Sequence, residues 1–557
     1  MLTEVSIKVV SALEKCFLDE KVADKQERNR YIMLRNQKLS FQVMFSLDEY
    51  DGKSTPFAKV VFDGELAKYA TVREVVSVPV HYPVCPNVCD DNYIRKTPGL
   101  YPDMLRPIQY NGYIRVPHGQ SRTLWIDVEI PEGEAIPTGE SRLGISLVEK
   151  NKGETLAETE AFVRVIDINL PAQKLIHTEW FYSDCIAEAY RCKPFSEKHW
   201  KMCEKYVRTA VRNGINMIMM PLFTPELDTY IGGERPTTQL VDITLEADGS
   251  YSFNFDKVGR WIDMCLASGV EYFEIPHFFT QWGAKAAPKF VARVNGRTKR
   301  IFGWETDSMG EEYGTFLAAL IPAAVAFFKS KGIDKKCFYH ISDEPHIEHL
   351  EKYLECKKRV APYLEGYNII DALSNIEFYR LGVLAKPVPG IKSIRPFLDE
   401  KIEGLWAYYC GANGKVETTD RYLAMPLART RILGVQLYRH NIEGFLHWGY
   451  NFYHNQYSYD FVDPFGNTDG ECFAPSGDTF LVYPGTDEEV WESIRLNALR
   501  EAVDDMRALE LCESVCGREF VEELIGKLDF FEYPTDPEYL LSLRDKIALA
   551  VEEKLVK

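Results

Sequence analysis

The chain has 557 residues, too many for one ordinary domain, so we expect two or three. Hydrophobic residues make up 46% and charged residues 27%, the balance of a soluble globular protein. The net charge of −18 argues against nucleic acid or an anionic membrane as a partner, because both bind basic surfaces. The oligomeric state is left open.

No secretion signal or membrane span is expected from the sequence. Met1 to Val5 carries no basic segment followed by an apolar core, which favours a cytoplasmic location. The 13 cysteines are scattered through ordinary core sequence and are expected to be reduced. Two CxxxC pairs, Cys85 with Cys89 and Cys512 with Cys516, lack a second pair at zinc-site spacing, so no metal site is predicted.

The first part of the chain, residues 1–170, is rich in predicted strands. Turn residues such as Asp63-Gly64 separate runs of alternating or β-branched residues, which favours an antiparallel β-sandwich. The runs occupy residues 5–10, 39–45, 58–62, 72–80 and 124–130. No cluster of acids, histidines or cysteines lies here, so we expect a structural domain.

From residue 171 to 517, apolar runs alternate with helical periodicity. The predicted strands are residues 176–182, 215–222, 270–276, 337–342, 369–373, 405–409 and 444–449, with 379–394 ambiguous. The predicted helices are residues 196–213, 255–268, 313–331, 346–365, 420–441 and 488–512. Seven or eight such repeats predict a (β/α)8 TIM-like barrel. Residues 518–557 are expected to form a short helical C-terminal extension.

Two adjacent carboxylates, Asp343 and Glu344, end the predicted strand at 337–342. In barrels this strand end carries the chemistry, which makes the pair a candidate catalytic site. A structural interpretation is equally open: Ser342 or Asp343 caps the following helix, with Pro345 near its first position.

Aromatic residues next to polar ones recur at the other strand ends, which converge on one mouth in a barrel. Such walls suit a neutral, hydroxyl-rich ligand such as a sugar. The candidate binding residues of this kind are Trp180, His277, Trp282, Trp406, Tyr409, Trp448, Tyr450 and Asn451. His340 and His447 are further candidates for hydrogen bonds to a sugar, although His340 is as readily a core histidine, and no metal triad is predicted.

Adjacent carboxylates fit one form of glycoside hydrolysis better than the others. Most glycosidases place two carboxylates on either side of the scissile bond. In the substrate-assisted exception, the 2-acetamido carbonyl of the sugar attacks its own anomeric carbon. One carboxylate then orients the acetamido group and its neighbour moves the proton, so both can follow a single strand.

Five motifs in order resemble glycoside hydrolase family 123 and its wider group of uncharacterised relatives. They are Tyr339 to Pro345, Gly404 to Cys410, Gly444 to Asn451, Gly477 to Gly485, and Ser493 to Arg495 with residues 500–505. The resemblance covers roughly residues 170–515, and the preceding sandwich suits the same architecture.

The resemblance implies a retaining β-N-acetylgalactosaminidase that uses no cofactor and acts on a glycan or small glycoside. By this resemblance, Asp343 would orient the acetamido group and Glu344 would be the acid/base. The implied sugar-facing walls are Trp406, Tyr409, Trp448 and Tyr450, and Asp478 and Tyr483 lie on a loop, residues 460–485, that would cover the mouth. Arg495 and Arg500 with Asp504 or Asp505 are expected to form structural ion pairs.

One departure from the family pattern affects specificity. Ala407 stands where a further aromatic residue is expected. Two alternatives therefore stay open: a glycosidase for another sugar, such as an N-acetylglucosaminide or a non-acetamido glycoside, and a non-catalytic carbohydrate-binding protein. The enzyme hypotheses predict that Glu344 faces a cavity lined by Trp406 and Trp448, whereas a pure helix cap would point to solvent.

Overall fold

The structure is a computed structural model that describes residues 4–49, 55–86, 89–131, 133–135, 139–411, 418–486 and 488–555. The N-terminal strands are β1 (Glu4–Ser11), β2 (Arg30–Arg35), β3 (Leu39–Glu49), β4 (Phe57–Asp63), β5 (Ala70–Val80), β6 (Gly99–Pro107), β7 (Tyr113–Arg115), β8 (Ser121–Val128), β9 (Glu140–Glu149) and β10 (Thr155–Asn169).

The later strands are β11 (Ile176–Glu179), β12 (Met217–Met219), β13 (Asp242–Leu245), β14 (Tyr251–Asn254), β15 (Tyr272–Ile275), β16 (Phe290–Val294), β17 (Arg297–Phe302), β18 (Cys337–Tyr339), β19 (Asn368–Ala372), β20 (Lys386–Val388), β21 (Trp406–Tyr408), β22 (Gly444–His447), β23 (Val482–Pro484) and β24 (Val490–Glu492). The α-helices are α1 (Ser183–Ala189), α2 (Glu197–Arg212), α3 (Asp256–Ala267), α4 (Glu311–Ser330), α5 (Leu350–Val360), α6 (Glu377–Arg380), α7 (Arg395–Asp399), α8 (Leu427–Arg431), α9 (Leu433–Arg439), α10 (Ile494–Cys516), α11 (Arg518–Ile525) and α12 (Pro537–Leu555).

Two N-terminal sheets enclose one apolar core. Their strand orders are β1-β3-β8-β5-β6 and β2-β10-β9-β4-β7. Residues that alternate inward along the strands, such as Val43 and Leu124 from one sheet and Ile145 from the other, are fully buried between them. The predicted antiparallel sandwich is present, with one parallel strand pair between β2 and β10. After β2 the chain crosses to the other sheet, and the hairpin with β9 sets the direction of β10.

Eight parallel strands form a nearly closed barrel after the sandwich. Their order is β20-β19-β18-β15-β12-β11-β22-β21. The two edge strands meet where the Tyr408 N–H donates to the Pro389 carbonyl at 3.1 Å. The ambiguous region 379–394 supplies β20, the sixth barrel strand along the chain, and so completes the set of eight. The acid pair therefore follows the fourth barrel strand, β18, as the sequence predicts.

Several elements differ from the sequence prediction. The connections after β12 and β15 each contribute two strands to a four-stranded sheet, β14-β13-β16-β17, that was not predicted. The helix expected over 420–441 begins only at Leu427, after the extended backbone of Pro426, and a turn at Ile432 divides it into α8 and α9. Residues 490–492 form strand β24 rather than helix, and α10 begins only after Ser493, whose Oγ accepts a 3.1 Å bond from the Leu496 N–H.

Helix α4 is long and apolar enough to cross a membrane by length and composition alone, a test that a buried core helix also passes. Its packing explains its composition. The Phe316 ring lies 4.8 Å from Phe290 and 5.0 Å from Tyr251 between centroids, against the inserted sheet. We interpret α4 as a core helix of the barrel, and the cytoplasmic location stays a prediction.

Buried ion pairs join the N-terminal sheets and the C-terminal helices to the barrel. Asp103 on β6 accepts bonds from Nε and Nη2 of Arg495 on α10, both at 2.8 Å. Arg500 pairs with Asp504 one turn along the same helix, as predicted for a structural ion pair. Helix α12 packs on α10 and also on β2 of the sandwich, so these contacts do not mark a domain boundary. The domain limits at residues 170 and 517 remain predictions.

Candidate active site

A cavity of about 250 Å³ lies at the C-terminal ends of the barrel strands. Residues that follow β11, β18, β21 and β22 form its walls, together with loops after β12 and β15. Its lining includes Trp180, Tyr182, Asp228, Gln281, Trp282, Asp343, Glu344, Tyr408, Cys410, Trp448, Tyr457, Phe473 and Asp478. Aromatic walls with convergent acids at this end of a barrel are typical of a substrate site.

The backbone of the acid pair is fixed on both sides. The Glu344 N–H donates to the Ala372 carbonyl at the end of β19 (3.1 Å), and the Asp343 carbonyl accepts from the Trp282 N–H (3.2 Å). Glu344 has a φ of +42°, in the left-handed region that a glutamate rarely adopts. Such strain concentrates at functional sites, and here it turns both carboxylates toward the cavity.

The two carboxylates share an electrostatic environment. The Tyr408 hydroxyl donates a 2.6 Å hydrogen bond to Oε1 of Glu344. Burial, and next the charge of Glu344, raise the pKa of the Asp343 carboxyl well above its usual range. Asp343 therefore keeps its proton at a higher pH than an exposed aspartic acid does.

The helix-cap interpretation of this stretch is wrong. Ser342 donates its hydroxyl proton to the Thr280 carbonyl at 2.9 Å, away from any helix start. The first helical turn, Ile347–His349, is preceded by His346, and α5 begins only at Leu350. Neither Ser342 nor Asp343 therefore caps a helix.

A buried charged network forms the floor below the acid pair. Glu274 on β15 accepts bonds from the Thr178 hydroxyl (2.6 Å), the Trp180 indole (2.7 Å) and His340 Nε2 (2.7 Å). His340 Nδ1 lies 3.2 Å from Asp371. Burial lowers the pKa of His340, but its hydrogen bonds to Asp371 and Glu274 outweigh that effect and raise it to about 10. The floor therefore holds an imidazolium between two carboxylates.

A second network fixes the opposite wall. Asp478 accepts bonds from His447 Nε2 (3.0 Å) and the Gly411 N–H (3.1 Å). Arg421 donates to the carbonyls of Gly449 (2.6 Å) and Asp478 (2.9 Å) and to Glu179 (2.5 Å). Although burial opposes it, the charge of Arg421 lowers the pKa of Glu179 to about 2. The Asp478 wall is thus tied to a charged, fully buried guanidinium.

Six of the residues singled out from the sequence meet in this cavity: Asp343, Glu344, Trp180, Trp282, Trp448 and Asp478. The other eight catalytic or sugar-binding candidates, which include His340 and His447, lie outside its lining. His277 lies in the floor, with its ring centroid 4.3 Å from that of His340 and without a hydrogen bond to either ring nitrogen among the described residues. Asn451 bonds through its side chain to the backbone of Tyr182 (2.9 Å).

The remaining aromatic candidates are buried behind the walls. The Trp406 ring packs against Phe338, with centroids 5.4 Å apart, and the Tyr409 ring packs against Phe445 at 5.0 Å. Tyr450 and Tyr483 bond through their hydroxyls to the Tyr206 carbonyl (2.9 Å) and to Asp103 (2.5 Å), respectively. Ala407 is fully buried within β21. The predicted cavity wall at Trp448 is present, whereas the predicted wall at Trp406 is not.

Sequence reasoning missed several lining residues and the groups that hold the acids. Tyr408 lies inside the motif 404–410, where the aromatic run was a usable signal. Asp228 and Tyr457 lie in loops that carry no periodicity. Glu274 and Asp371 are single acids within apolar strands, and only the barrel topology brings them to His340.

Among the residues that the structure describes, three buried groups of side chains have ligand atoms close enough for a metal ion, within 4.8 Å of one another. They are Asp184-Cys185-His454, His277-His340-Asp371 and Asp420-His447-Asp478. Each already contains or contacts a positive charge: Arg235 beside Asp184 (3.2 Å), the imidazolium of His340, and Arg421 beside His447. A second cation would be repelled at each place, so these groups do not fit a metal ion.

Comparison with known proteins agrees with this geometry. The model of the glycoside hydrolase 123 catalytic domain matches residues 180–512, more than half of the chain. A family 123 glycoside hydrolase from Clostridium perfringens has the same overall fold, with a TM-score of 0.71 and 13% identity over 99% of this chain and 98% of that one. A putative glycoside hydrolase from Bacteroides vulgatus aligns less well, with a TM-score of 0.32 and 11% identity over 88% of this chain and 79% of that one. No curated protein matches the sequence. The chain belongs to glycoside hydrolase family 123 and is a glycoside hydrolase.

Proposed function

We propose that this glycoside hydrolase removes terminal β-linked N-acetylgalactosamine with retention of configuration, through an oxazolinium intermediate. The observation that carries the proposal is that two consecutive carboxylates, Asp343 and Glu344, both line one aromatic-walled cavity. The hydrolysis of glycolipid glycans by the Clostridium perfringens family member supports a glycan substrate.

In the first step, Asp343 accepts a hydrogen bond from the acetamido N–H, which favours its ionised form against the effect of burial, and orients the carbonyl oxygen toward the anomeric carbon. Glu344 gives its proton to the glycosidic oxygen. The bond from that oxygen to the anomeric carbon breaks as the carbonyl oxygen forms its bond to the same carbon, which leaves a cyclic oxazolinium. In the second step, Glu344 takes a proton from water, and the water oxygen opens the ring from the face that the leaving group vacated.

Tyr408 assists the acid/base cycle. Its hydroxyl donates to Oε1 of Glu344, so the proton that moves to the leaving group is carried on Oε2. Once that proton has left, the hydrogen bond joins a neutral donor to a carboxylate and becomes stronger. Tyr408 therefore stabilises the charge that develops on Glu344 as the glycosidic bond breaks.

The walls would hold the sugar ring in register with the acids. Trp180 and Trp448 present aromatic surface, which stacks on the apolar face of a pyranose. Asp228 and Asp478 present carboxylates that accept hydrogen bonds from sugar hydroxyls. Every step uses side chains of this chain and the substrate itself.

A panel of aryl β-glycosides tests the proposal. We expect hydrolysis of the N-acetylgalactosaminide, release of the β-anomer first, and inhibition by a thiazoline mimic of the cyclic intermediate. Glu344→Gln should lower kcat by roughly 10²–10⁴-fold, because it removes the proton donor. Glu348→Gln, an exposed glutamate of the helical turn that follows Glu344, is the matched control and should retain full activity.

The alternatives give different results in the same panel. Unchanged turnover in Glu344→Gln would sink the catalytic assignment and favour a carbohydrate-binding protein. Cleavage of glycosides that lack the acetamido group would exclude substrate assistance and indicate a carboxylate nucleophile, for which Asp228 and Asp478 are the candidates. Faster hydrolysis of the N-acetylglucosaminide would correct the sugar and leave the mechanism in place.

A further inference from the structure

We propose that an aromatic strip outside the cavity binds the leaving-group sugars of a neutral oligosaccharide. The aromatic strip consists of Trp282, Tyr457, Tyr459 and Tyr230. The inference rests on the proposed function, because it takes the cavity as the site of the terminal sugar.

The rings of the aromatic strip lie in sequence from the cavity outward. Trp282 and Tyr457 line the cavity, with ring centroids 5.6 Å apart. Tyr457 contacts Tyr459 at 6.3 Å, and Tyr459 stacks on Tyr230 at 4.5 Å with nearly parallel planes. Trp282, Tyr459 and Tyr230 are 38%, 60% and 36% exposed. A contiguous exposed aromatic surface of this kind marks a binding site.

Three loops are locked together beneath these rings by Asp228. Its Oδ2 accepts from the Tyr457 N–H (3.1 Å) and its carbonyl accepts from the Ser458 hydroxyl (2.7 Å). Its own N–H donates to Oε1 of Gln281, the neighbour of Trp282 (2.6 Å). The Tyr230 N–H donates to the Tyr457 carbonyl at 3.0 Å. The rings are therefore held in place before a ligand arrives, which lowers the entropic cost of binding.

Backbone strain supports the same conclusion. Trp282 and Tyr457 have φ values of +55° and +62°, an uncommon conformation for bulky side chains. Strain of this kind persists where the surrounding hydrogen bonds over-determine it, and it is typical of ligand clamps. Both strained residues lie at the exit of the cavity.

The size of the cavity indicates what lies on the aromatic strip. At about 250 Å³ it is smaller than the ~300–1,000 Å³ pockets that hold drug-sized ligands, so one sugar ring fills it. The rest of an oligosaccharide has to leave past Trp282 and Tyr457. Once outside, its next rings meet Tyr459 and Tyr230.

Charge selects the class of oligosaccharide. Asp228, Asp343, Glu344 and Asp478 line the cavity, and no lysine or arginine is among its described lining residues. Acidic sugars would be repelled there, whereas neutral hexoses offer apolar faces to the rings and hydroxyls to the phenol groups. The occupant we assign is therefore a chain of neutral sugars on the leaving-group side.

Binding measurements in the Glu344→Gln background test the aromatic strip without turnover. The probes are methyl β-N-acetylgalactosaminide and a trisaccharide that carries the same terminal sugar on two neutral hexoses. We expect the double change Tyr230→Ala with Tyr459→Ala to raise the Kd for the trisaccharide about tenfold and to leave that for the methyl glycoside unchanged. Phe520→Ala, an exposed aromatic of α11, is the matched control and should change neither.

The outcomes separate this inference from the proposed function. Three outcomes would overturn the aromatic strip, even if hydrolysis is found. The double change could weaken the binding of both probes equally, it could weaken the binding of neither, or the trisaccharide could fail to bind at all. If the double change weakens only trisaccharide binding and the wild-type chain hydrolyses none of the glycosides, the aromatic strip is supported and the proposed function is refuted. Binding to glycan-free phosphatidylcholine vesicles that the double change abolishes, with trisaccharide binding intact, would identify a lipid surface and overturn the inference.

Discussion

The Tyr408 hydroxyl donates a 2.6 Å hydrogen bond to Oε1 of Glu344, which joins the seventh barrel strand to the loop after the fourth. This bond reaches a group whose charge changes during the proposed reaction. It therefore contributes more to the transition state than to the ground state.

Replacing Tyr408 with phenylalanine should lower kcat about tenfold or more and leave KM within about twofold, because a hydrogen bond to a charged group is worth about 1.5–3 kcal/mol. Steady-state kinetics on an aryl N-acetylgalactosaminide measures this. Tyr339→Phe removes a buried hydroxyl without a hydrogen-bond partner among the described residues, so activity should be retained. Equal kcat in both variants would contradict the role of Tyr408.

The two tryptophans expected as sugar walls should behave differently. Trp448 lines the cavity, so Trp448→Phe should raise KM several-fold and leave the Tm nearly unchanged. Trp406 is fully buried against Phe338, so Trp406→Phe should lower the Tm and leave KM unchanged, because it opens space in the core. Steady-state kinetics and thermal melts on both variants measure these effects. A raised KM in Trp406→Phe would show that Trp406 contacts the sugar, as the sequence predicted.

Buried Glu226 should make stability depend on pH. Neither carboxylate oxygen has a hydrogen-bond partner among the described residues, and burial raises the pKa to about 8 from an ordinary 4.5. The folded chain thus holds a proton that the unfolded chain releases, so this stabilisation is full below pH 4.5 and is lost as pH rises through 8.

Glu226→Gln cannot lose this proton. Its free energy of unfolding should fall less than that of the wild type between pH 5 and pH 8.5, by on the order of 3 kcal/mol. Chemical denaturation at both pH values measures the difference. Glu403→Gln, at an exposed position, should follow the wild type, and a Glu226→Gln curve that runs parallel to the wild type would refute the assignment.

The ion pair between Asp103 and Arg495 should stabilise the junction between the sandwich and the barrel. Removing one partner of a fully buried pair costs about 3–5 kcal/mol, so Asp103→Ala should sharply reduce the free energy of unfolding. Arg495 also donates to the Phe480 carbonyl at 3.0 Å, so the loop that carries Asp478 should loosen and KM should rise.

Asp63→Ala is the matched control for that change. Asp63 pairs with Arg142 on the same sandwich, but both side chains are about half exposed, and such pairs are worth about 1 kcal/mol or less. Denaturation curves for the two variants should differ clearly. Similar losses at Asp63 and Asp103 would show that the buried junction has no special role.

The parts of the fold that the sequence predicted are those in which local pattern and packing agree. Helix α2 begins after Ser196, and most barrel strands are apolar runs that end in turn residues. Strand β20 is only three residues long and contains Pro387, so the sequence pattern does not identify it as a strand. Strand β17 is largely exposed along its length, so it carries no apolar alternation to recognise.

The sequence predicted that Asp343 and Glu344 would line the cavity, but it predicted the aromatic wall residues only in part. Sequence order places Trp406 and Tyr408 in one strand, but a strand rises about 3.3 Å per residue, so Trp406 lies deeper in the barrel than Tyr408. Depth along the strand, rather than residue type, separates the buried Trp406 from Tyr408 at the cavity. Asp228 and Tyr457 come from loops whose paths follow only from their shared hydrogen bonds.

The left-handed backbone at Glu344 lowers the stability of the fold at a residue that the proposed reaction needs. A glutamate in this conformation costs about 1–2 kcal/mol, whereas glycine or asparagine adopts it readily. Improving the chain for heat resistance alone would therefore select Glu344→Gly or Glu344→Asn and discard the proposed proton donor. Engineering a thermostable enzyme from this fold requires a screen for turnover at every round.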